Sequence, residues 1–441
     1  MNLIIIFIFI VAYILIAFEE QVKLNKAVSA LLSAALIWSC YAIMGDTKSV
    51  IEQLSHHLSD IAGIVFFIWG ALIIVKLTDA HEGFRPITDS IKTRDPRKLI
   101  WITCFITFFM AAIIDNLTAA IVMATIVYGM IKDKEQRAFF ACMAVVAANA
   151  GGTWSPLGEI TTTMLWAKGQ ISIERITTEM FIPSLVCLVV PLILLSFFKL
   201  GKEFSEPNTL AVNIDEESLR PPTTKERNIM LTVSILGLLF IPIFKYLTHL
   251  PPYMGMLFSL GLVWLTSEIL HNEKDESTPH NLTIRYALEK VDTSNLLFFL
   301  GILLAVAGLE ASQILKTWGD SLLLAIPNIY TVDYIIGLVS ALIDNVPLVA
   351  AMQGMYSLEQ YPIDHPLWIF LSYTAGTGGS ILVIGSAAGV GVMGMSGYST
   401  NHYKDKGVVD FWWFAKNISL WAFIGYCAGA ATYLLLKAYI Y

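Results

Sequence analysis

Two short stretches set a carboxylate beside an amide inside runs that are otherwise apolar. They are Asp115-Asn116 within AAIIDNLTAAIVM and Asp344-Asn345 within ALIDNVPLVAAM. A carboxylate at membrane depth costs about 3 kcal/mol on insertion scales, so such a residue is a functional candidate by default. Aspartate and asparagine together offer hard oxygen atoms, and burial disfavours the ionised acid, so each pair can hold a small cation or a proton. Neither pair has Arg or Lys close in sequence. An anionic cargo would call for neutral helix N-termini at these places. Competition between a proton and a cation for one carboxylate is the simplest molecular basis for exchanging the two.

Two glycine-rich interruptions accompany the pairs, Asn149-Ala150-Gly151-Gly152-Thr153-Trp154-Ser155-Pro156-Leu157-Gly158 and Gly376-Thr377-Gly378-Gly379-Ser380. Glycine and proline unwind a helix, and the freed carbonyls are tolerated in a membrane only where protein or a water-filled cavity satisfies them. Such carbonyls, with carboxylate, amide and hydroxyl oxygens, suit an alkali cation. Sulfur and imidazole ligands are missing from the set. The candidate ion- and proton-binding residues are Asp115, Asn116, Thr118, Asn149, Glu159, Thr161, Thr162, Asp344, Asn345, Ser380 and Ser386, with Na⁺ expected at Asp115, Asn116, Asp344 and Asn345. Each has a plainer alternative. The aspartates could be helix caps, though their duplication argues for function. The threonines could bond back to helix carbonyls. Glu159 is a ligand or relay, or else part of a gating or structural ion pair. Lys76, one helical turn before Asp79, is expected to pair with it. His81 and Glu82 read as a solvated helix end, and His56-His57 as a loop.

These residues must be positioned by membrane-spanning helices. The 441-residue chain is 56% hydrophobic and 14% charged, with a mean hydropathy of +0.66. Soluble domains carry about 25% charged residues. Apolar runs long enough to cross a bilayer recur from end to end. Spans are expected near 3–18, 27–44, 61–78, 138–166, 181–198, 229–249, 252–270, 294–310, 366–397 and 417–440. The first has neither the basic start nor the cleavage site of a signal peptide and is expected to be retained. The five cysteines lie in apolar segments without CxxC spacing and read as packing residues.

The runs 99–131 and 331–357 hold the Asp-Asn pairs at their centres, and charge placement decides how they sit. With both as re-entrant hairpins, one side receives most of the 28 Lys and Arg residues. The other receives only Lys48, Lys168, Arg175, Lys245, Lys316 and Lys437, with Lys76 inside a span. The rich side is then cytoplasmic. A through-going first run would spoil that asymmetry. The hairpins open to opposite sides, so the halves should be inverted repeats. FFIWGALIIVKLTDA (66–80) indeed resembles LLFFLGILLAVAGLEA (296–311), and NAGGTWSPLGEITTT (149–163) parallels AGTGGSILVIGSAAG (375–389). Inverted repeats with broken helices meeting near the midplane are a secondary-transporter architecture.

The expected fold is therefore an all-α polytopic membrane protein with about ten spans plus two re-entrant hairpins. Residues 1–98 form N-terminal scaffold spans, and 99–198 the first hairpin and broken helix. Residues 199–228 form a polar cytoplasmic linker, 229–330 the second scaffold half, and 331–441 the second hairpin, broken helix and last span.

DAHEGF (79–84), DNLT (115–118), ANAGGTWSPLGEITTTMLW (148–166) and DNVPLVAAM (344–352) resemble the motifs of the NhaD-type Na⁺/H⁺ antiporter family, within a superfamily that also holds dicarboxylate symporters and arsenite permeases. The likeness covers about residues 60 to 400, and its long third motif is the specific part. The resemblance implies export of Na⁺ and Li⁺ in exchange for H⁺, strongest at alkaline pH. It implies a polar set of Asp115, Asn116, Asn149, Thr161, Thr162, Asp344, Asn345 and Ser386. It further implies a homodimer in a bacterial inner membrane, whose hairpins and broken helices move as a transport domain against a scaffold. Two departures are Lys76, where relatives often have an acidic residue, and Glu159, where they have Asp. The expected partners are membrane lipid and the transported Na⁺, Li⁺ and H⁺, with no cofactor, no nucleic acid and no enzymatic activity. A Na⁺-coupled carboxylate symporter or an arsenite permease is the alternative. An intramembrane protease would need both carboxyls to meet over a peptide bond, and neither aspartate has a GxGD-like neighbourhood. No GxxxxGK[ST] loop for a nucleotide-driven pump occurs.

Overall fold

The computed structural model describes residues 2–17, 19–86, 91, 93, 95–131, 133–198, 222–271, 282–395 and 409–439. Most of the polar linker (199–221) lies outside them. The described residues are helical in this order: α1 Asn2–Ala17, α2 Glu19–Val22, α3 Lys26–Met44, α4 Thr47–Ala80, α5 Pro96–Ile114, α6 Asn116–Met130 and α7 Lys134–Gly152. There follow α8 Ile160–Ala167, α9 Ile173–Phe198, α10 Thr224–Thr248, α11 Pro252–His271, α12 Ile284–Lys290, α13 Thr293–Ala311, α14 Ile314–Ala325 and α15 Ile329–Ser340. The chain ends with α16 Asn345–Met355, α17 Pro366–Gly378, a 3₁₀ turn Val383–Gly385, α18 Ala387–Met395, α19 Phe411–Asn417 and α20 Ser419–Tyr439. The starts follow local chemistry. Asn25, Asp46, Asp95, Asp133 and Asp292 each accept from a first-turn amide, and Thr223 with Glu226 forms a capping box. Each cap contributes about 1 kcal/mol.

The protein is a polytopic helical membrane protein. Among the described residues eight helices are long and apolar enough to cross a bilayer: α3, α4, α5, α9, α10, α11, α13 and α20. The difference from about ten expected spans has structural causes. The segments 138–166 and 366–397 are each interrupted in the middle, and α1 is only 16 residues long. The span expected at 61–78 starts at Thr47 and runs for 34 residues, so His56 and His57 lie within a helix rather than a loop. The sequence also gave no sign of α14, which meets α15 at a bend of 116°.

Both predicted hairpin runs break at their aspartates. Helices α5 and α6 part at Asp115 and both pack on α7, as the two legs of a hairpin do. Helices α15 and α16 part at 341–344.

Matching positions in the two halves make matching contacts. Helix α13 lies on α3 while α4 lies on α11, and α9 pairs with α20. Gly301 lets α13 approach the backbone at Ala30, and Gly70 lets α4 approach Met256. A Cβ at Gly151 would collide with the Phe108 carbonyl, and one at Gly378 with the Gly337 carbonyl. Gly152 meets Gly158 as Gly379 meets Gly385, the ideal Cβ positions falling 2.6 and 2.7 Å from the facing carbonyls. Overpacking against backbone cannot be relieved by a rotamer change. Gly151→Ala and Gly378→Ala are therefore each expected to destabilise the fold by about 3 kcal/mol or more. Thermal unfolding in detergent should show a lowered midpoint for both, with Gly169→Ala as a control for left-handed strain without collision.

The loops sort into two sets. The Asp364 amide bonds the Gln170 carbonyl at 2.9 Å, and Lys245 Nζ bonds the Trp166 carbonyl at 3.0 Å. In the other set Arg227 and Arg85 hold Glu82, and Ser294 donates to Asn25. His81 is fully buried, not solvated: one ring nitrogen donates to the Leu77 carbonyl at 2.7 Å and the other lies 2.9 Å from His271 Nε2. Lys76 and Asp79 form no ion pair among the described residues, although the Lys76 charge acts on Asp79 as well as on Asp115.

Candidate functional site

The two aspartates sit where their helices begin. Asp115 adopts φ +83°, a left-handed backbone that costs a non-glycine residue energy and persists only where the surroundings enforce it. Its carboxylate accepts from the Thr118 amide at 2.9 Å and the Thr118 hydroxyl at 2.8 Å. Asp344 Oδ1 accepts from the Val346 amide at 3.0 Å. Both aspartates are thus helix caps. The cap and the cation site are compatible, because the amides of a helix start preorganise the carboxylate without consuming all its lone pairs.

Around them the amides and hydroxyls of both halves interlock. Asn116 Nδ2 donates to Asn149 Oδ1 at 3.0 Å, and Asn149 Nδ2 lies 2.9 Å from Ser380 Oγ and 3.0 Å from Ser386 Oγ. One side chain therefore ties the first hairpin tip and the first broken helix to the second broken helix. Asn345 Nδ2 donates to Glu159 Oε1, which ties the second tip back to the first broken helix. The charges of Asp344 and Glu159 act on each other.

Repeat symmetry gives this network a simple logic. Asn149 in the first half occupies the place of Gly376 in the second, and Glu159 the place of Ser386. Where one half projects a long side chain, the other has a short one or none. Asn149 reaches across to Ser386, while Glu159 reaches across into the space that Gly376 leaves open. A Cβ at Gly376 would strike Glu159 Oε2 and lie 2.5 Å from Thr153 Cγ2.

The remaining candidates divide. Thr162 shares a 2.8 Å hydrogen bond with Ser372, and Ser372 is 3.1 Å from the Thr153 carbonyl, so Thr162 holds the break in shape. Thr161 Oγ1 and Glu159 Oε2 are buried and, among the described residues, have no well-aligned partner beyond each other. A buried polar atom left unpaired costs about 1–3 kcal/mol, and two such oxygens two residues apart are ready ligands for a cation. Thr153, Ser184, Ser340 and Ser372 were not among the residues picked from sequence. Thr153 and Ser184 share a 2.8 Å bond, and Ser340 bonds the Ala375 carbonyl at 2.7 Å. Their signal was present, since each lies within a turn or two of a glycine break or a hairpin tip.

The site offers carboxylate, amide and hydroxyl oxygens, and among the described residues no Lys or Arg hydrogen-bonds to its candidates. A cavity of about 530 Å³ opens on the loop set containing Lys168 and Pro251, and its lining includes Asp60, Thr163, Glu310 and Gln353. Thr163 stands one helical turn from Glu159, its amide bonding the Glu159 carbonyl at 2.9 Å. Polar access thus reaches the edge of the site from that end.

Comparison with known proteins fits this geometry. The family model described as Citrate transporter matches residues 13–376. Sodium/proton antiporter 1 of Arabidopsis thaliana is 43% identical over 427 residues, covering 96% of this chain and 70% of that protein. Sodium/proton antiporter 2 of the same plant is 41% identical over 426 residues, covering 96% of this chain and 97% of that protein. The Na(+)/H(+) antiporter NhaD of Alkalimonas amylolytica is 32% identical over 468 residues, covering 98% of this chain and 90% of that protein. With hairpin-tip aspartates, paired broken helices and these relatives in agreement, the chain belongs to the NhaD-type Na⁺/H⁺ antiporter family.

Proposed function

We propose that this protein is a secondary antiporter that exports Na⁺, and Li⁺ with it, in exchange for H⁺, the ions and protons competing for Asp115 and Asp344. The observation that carries the reading is the oxygen-only cradle in which two repeat-related carboxylates cap helices beside paired amides. Antiporter relatives covering nearly the whole chain support it. With a proton on the carboxylate, the cradle is neutral and cannot hold a metal cation. Loss of that proton creates the ligand, so binding one species requires release of the other. A cytoplasm rich in protons keeps the carboxylates occupied, so exchange should be strongest at alkaline pH. The Lys and Arg bias of one loop set supports placing that side in the cytoplasm; export and a bacterial inner membrane are proposed from the likeness to NhaD-type antiporters.

The moving parts are proposed to be the hairpins with α7, α8, α17 and α18, carried against a scaffold of α3, α4, α11 and α13, in a homodimer. The support is the packing: α3 with α13 and α4 with α11 form contacts between the halves, while the tips bond to the broken helices.

The test is Na⁺-induced collapse of a proton gradient in everted membrane vesicles over pH 7 to 9.5. Antiport predicts collapse by Na⁺ and by Li⁺ that grows toward the alkaline end. No response to either cation at any pH would reject it. The family model's description favours one second reading, Na⁺-coupled uptake of a carboxylate. It predicts Na⁺ entry that depends on added citrate and would call for free helix N-termini or cationic side chains at the site, where Asp115 and Asp344 instead cap the helices. The hydrogen bonds of the candidate residues include none from Lys or Arg.

A further inference from the structure

We infer that Asp333, on the outer leg of the second hairpin, is an additional proton-binding group of the transport cycle. The observation is a carboxylate with no exposed surface whose two oxygens both lack a hydrogen-bond partner among the described residues. Two unsatisfied oxygens on one buried side chain are rare in a folded protein and call for a reason. A charge there would be stable only with a counter-ion or several donors. The ionisable groups on which its charge acts are phenols: Tyr330 on its own helix, Tyr356 and Tyr361 just past the end of α16, and Tyr426 and Tyr433 on α20. Helix α17 packs against the leg through Phe370 and Thr374, and Glu179 of α9, which acts on Tyr330 and Tyr433, is held by Lys437 and Arg175. None of these is a cation free to balance Asp333. The group the site accepts is a proton.

Position links it to the hairpin tip. Asp333, Gly337 and Ser340 follow at four and three residues and share one buried face of α15. Four residues past Ser340 the chain reaches Asp344. The face thus leads over about 10 Å of helix from Asp333 to Ser340, just before the tip. The fold itself does not ask for an acid here. At the matching position of the first half stands Cys104, also fully buried, with its thiol 3.7 Å from the Met143 carbonyl. The second hairpin alone carries this extra carboxylate, so it alone can move a proton independently of the tip. In the step proposed, movement of the hairpin first brings water to Asp333; its O–H then breaks, the proton passes to that water, and the same water hydrogen-bonds the carboxylate left behind. On the opposite face the carboxylate regains a proton from water. This role in exchange rests on the antiport reading above, whereas proton binding by Asp333 does not.

Two variants test it, Asp333→Asn, which keeps the shape, and Asp333→Cys, which installs the residue the first half already tolerates. Infrared difference spectra of the reconstituted full-length protein, taken on a pH jump, should show a protonated-carboxyl component, beyond those that Asp115→Asn and Asp344→Asn remove, that both Asp333 variants lose. The H⁺:Na⁺ ratio in proteoliposomes should fall by one proton per Na⁺ in both. A difference band of wild-type intensity in either folded variant overturns proton binding at Asp333. A band lost with the ratio unchanged overturns its part in transport. Absence of Na⁺-driven proton movement in the wild type would overturn antiport while leaving the spectral result to decide proton binding.

Discussion

Asp344→Asn is expected to abolish Na⁺-dependent proton movement, lowering its rate by at least about 100-fold, or 2.7 kcal/mol. The substitution keeps the side-chain oxygen that receives the Val346 amide at 3.0 Å, so the start of α16 should survive. What is lost is the charge and the titrating proton. A carboxylate about 2.4 Å from a cation is worth roughly 7 kcal/mol at an effective dielectric near 20, before the cost of dehydrating both. Even if desolvation offsets most of that, the remainder reaches the hundredfold threshold. Asp115→Asn is expected to cost about as much in transport and to be more damaging to the fold. Asp115 takes two hydrogen bonds from Thr118 on a left-handed backbone, one of them from a hydroxyl to a charged oxygen. Antiport rates in proteoliposomes, normalised to folded protein by size-exclusion profile, separate the two effects. Near-normal exchange by both variants would keep the antiporter but move its site elsewhere.

Gly376→Ala is expected to cut exchange about tenfold or more while leaving most of the fold intact, because its nearest obstacles are side chains rather than backbone. The new methyl group would occupy the position of Glu159 Oε2 and crowd Thr153. Glu159 must then withdraw, and its bond from Asn345 breaks. A shorter acid should relieve the clash. In the Gly376→Ala background, Glu159→Asp is therefore expected to recover part of the activity that Gly376→Ala removes, although Glu159→Asp alone lowers activity. Such a sign change is a coupling between touching residues, which a double-mutant cycle on initial rates reads directly. Additive losses would mean that Gly376 matters for something other than room for Glu159.

Much of this was legible in the sequence because membrane burial leaves few places for polar residues. An aspartate in an apolar run stands out, and so does its second copy. The pairing of Gly70 with Gly301 and of 149–163 with 375–389 showed the repeat, and the structure returns it as matching glycine contacts. Hydropathy counts residues without regard to the bond geometry that ends a helix. For that reason the segments 138–166 and 366–397 read as spans although each is cut in two. Partner choice was beyond reach for the same reason. Thr162 and Thr161 are adjacent and look equivalent, yet one hydroxyl is held by Ser372 and the other faces Glu159. His81 looked like a helix end in water, because nothing nearby in sequence announces that His271, far along the chain, covers it. Asp333 passed unnoticed in a segment whose Asp-Asn pair drew the eye. Only the packing of α15 shows it stranded among phenols.

The central claim is that a cation and a proton compete for the same carboxylates. Isothermal titration of the purified protein with Na⁺, repeated across pH in buffers of different ionisation enthalpy, measures both affinity and proton release. Competition predicts that apparent Na⁺ affinity falls by about tenfold for each unit of acidification below the titration of a single competing site. It also predicts that each Na⁺ bound drives protons into the buffer. A Na⁺ affinity that does not change with pH, with no protons released, would contradict it.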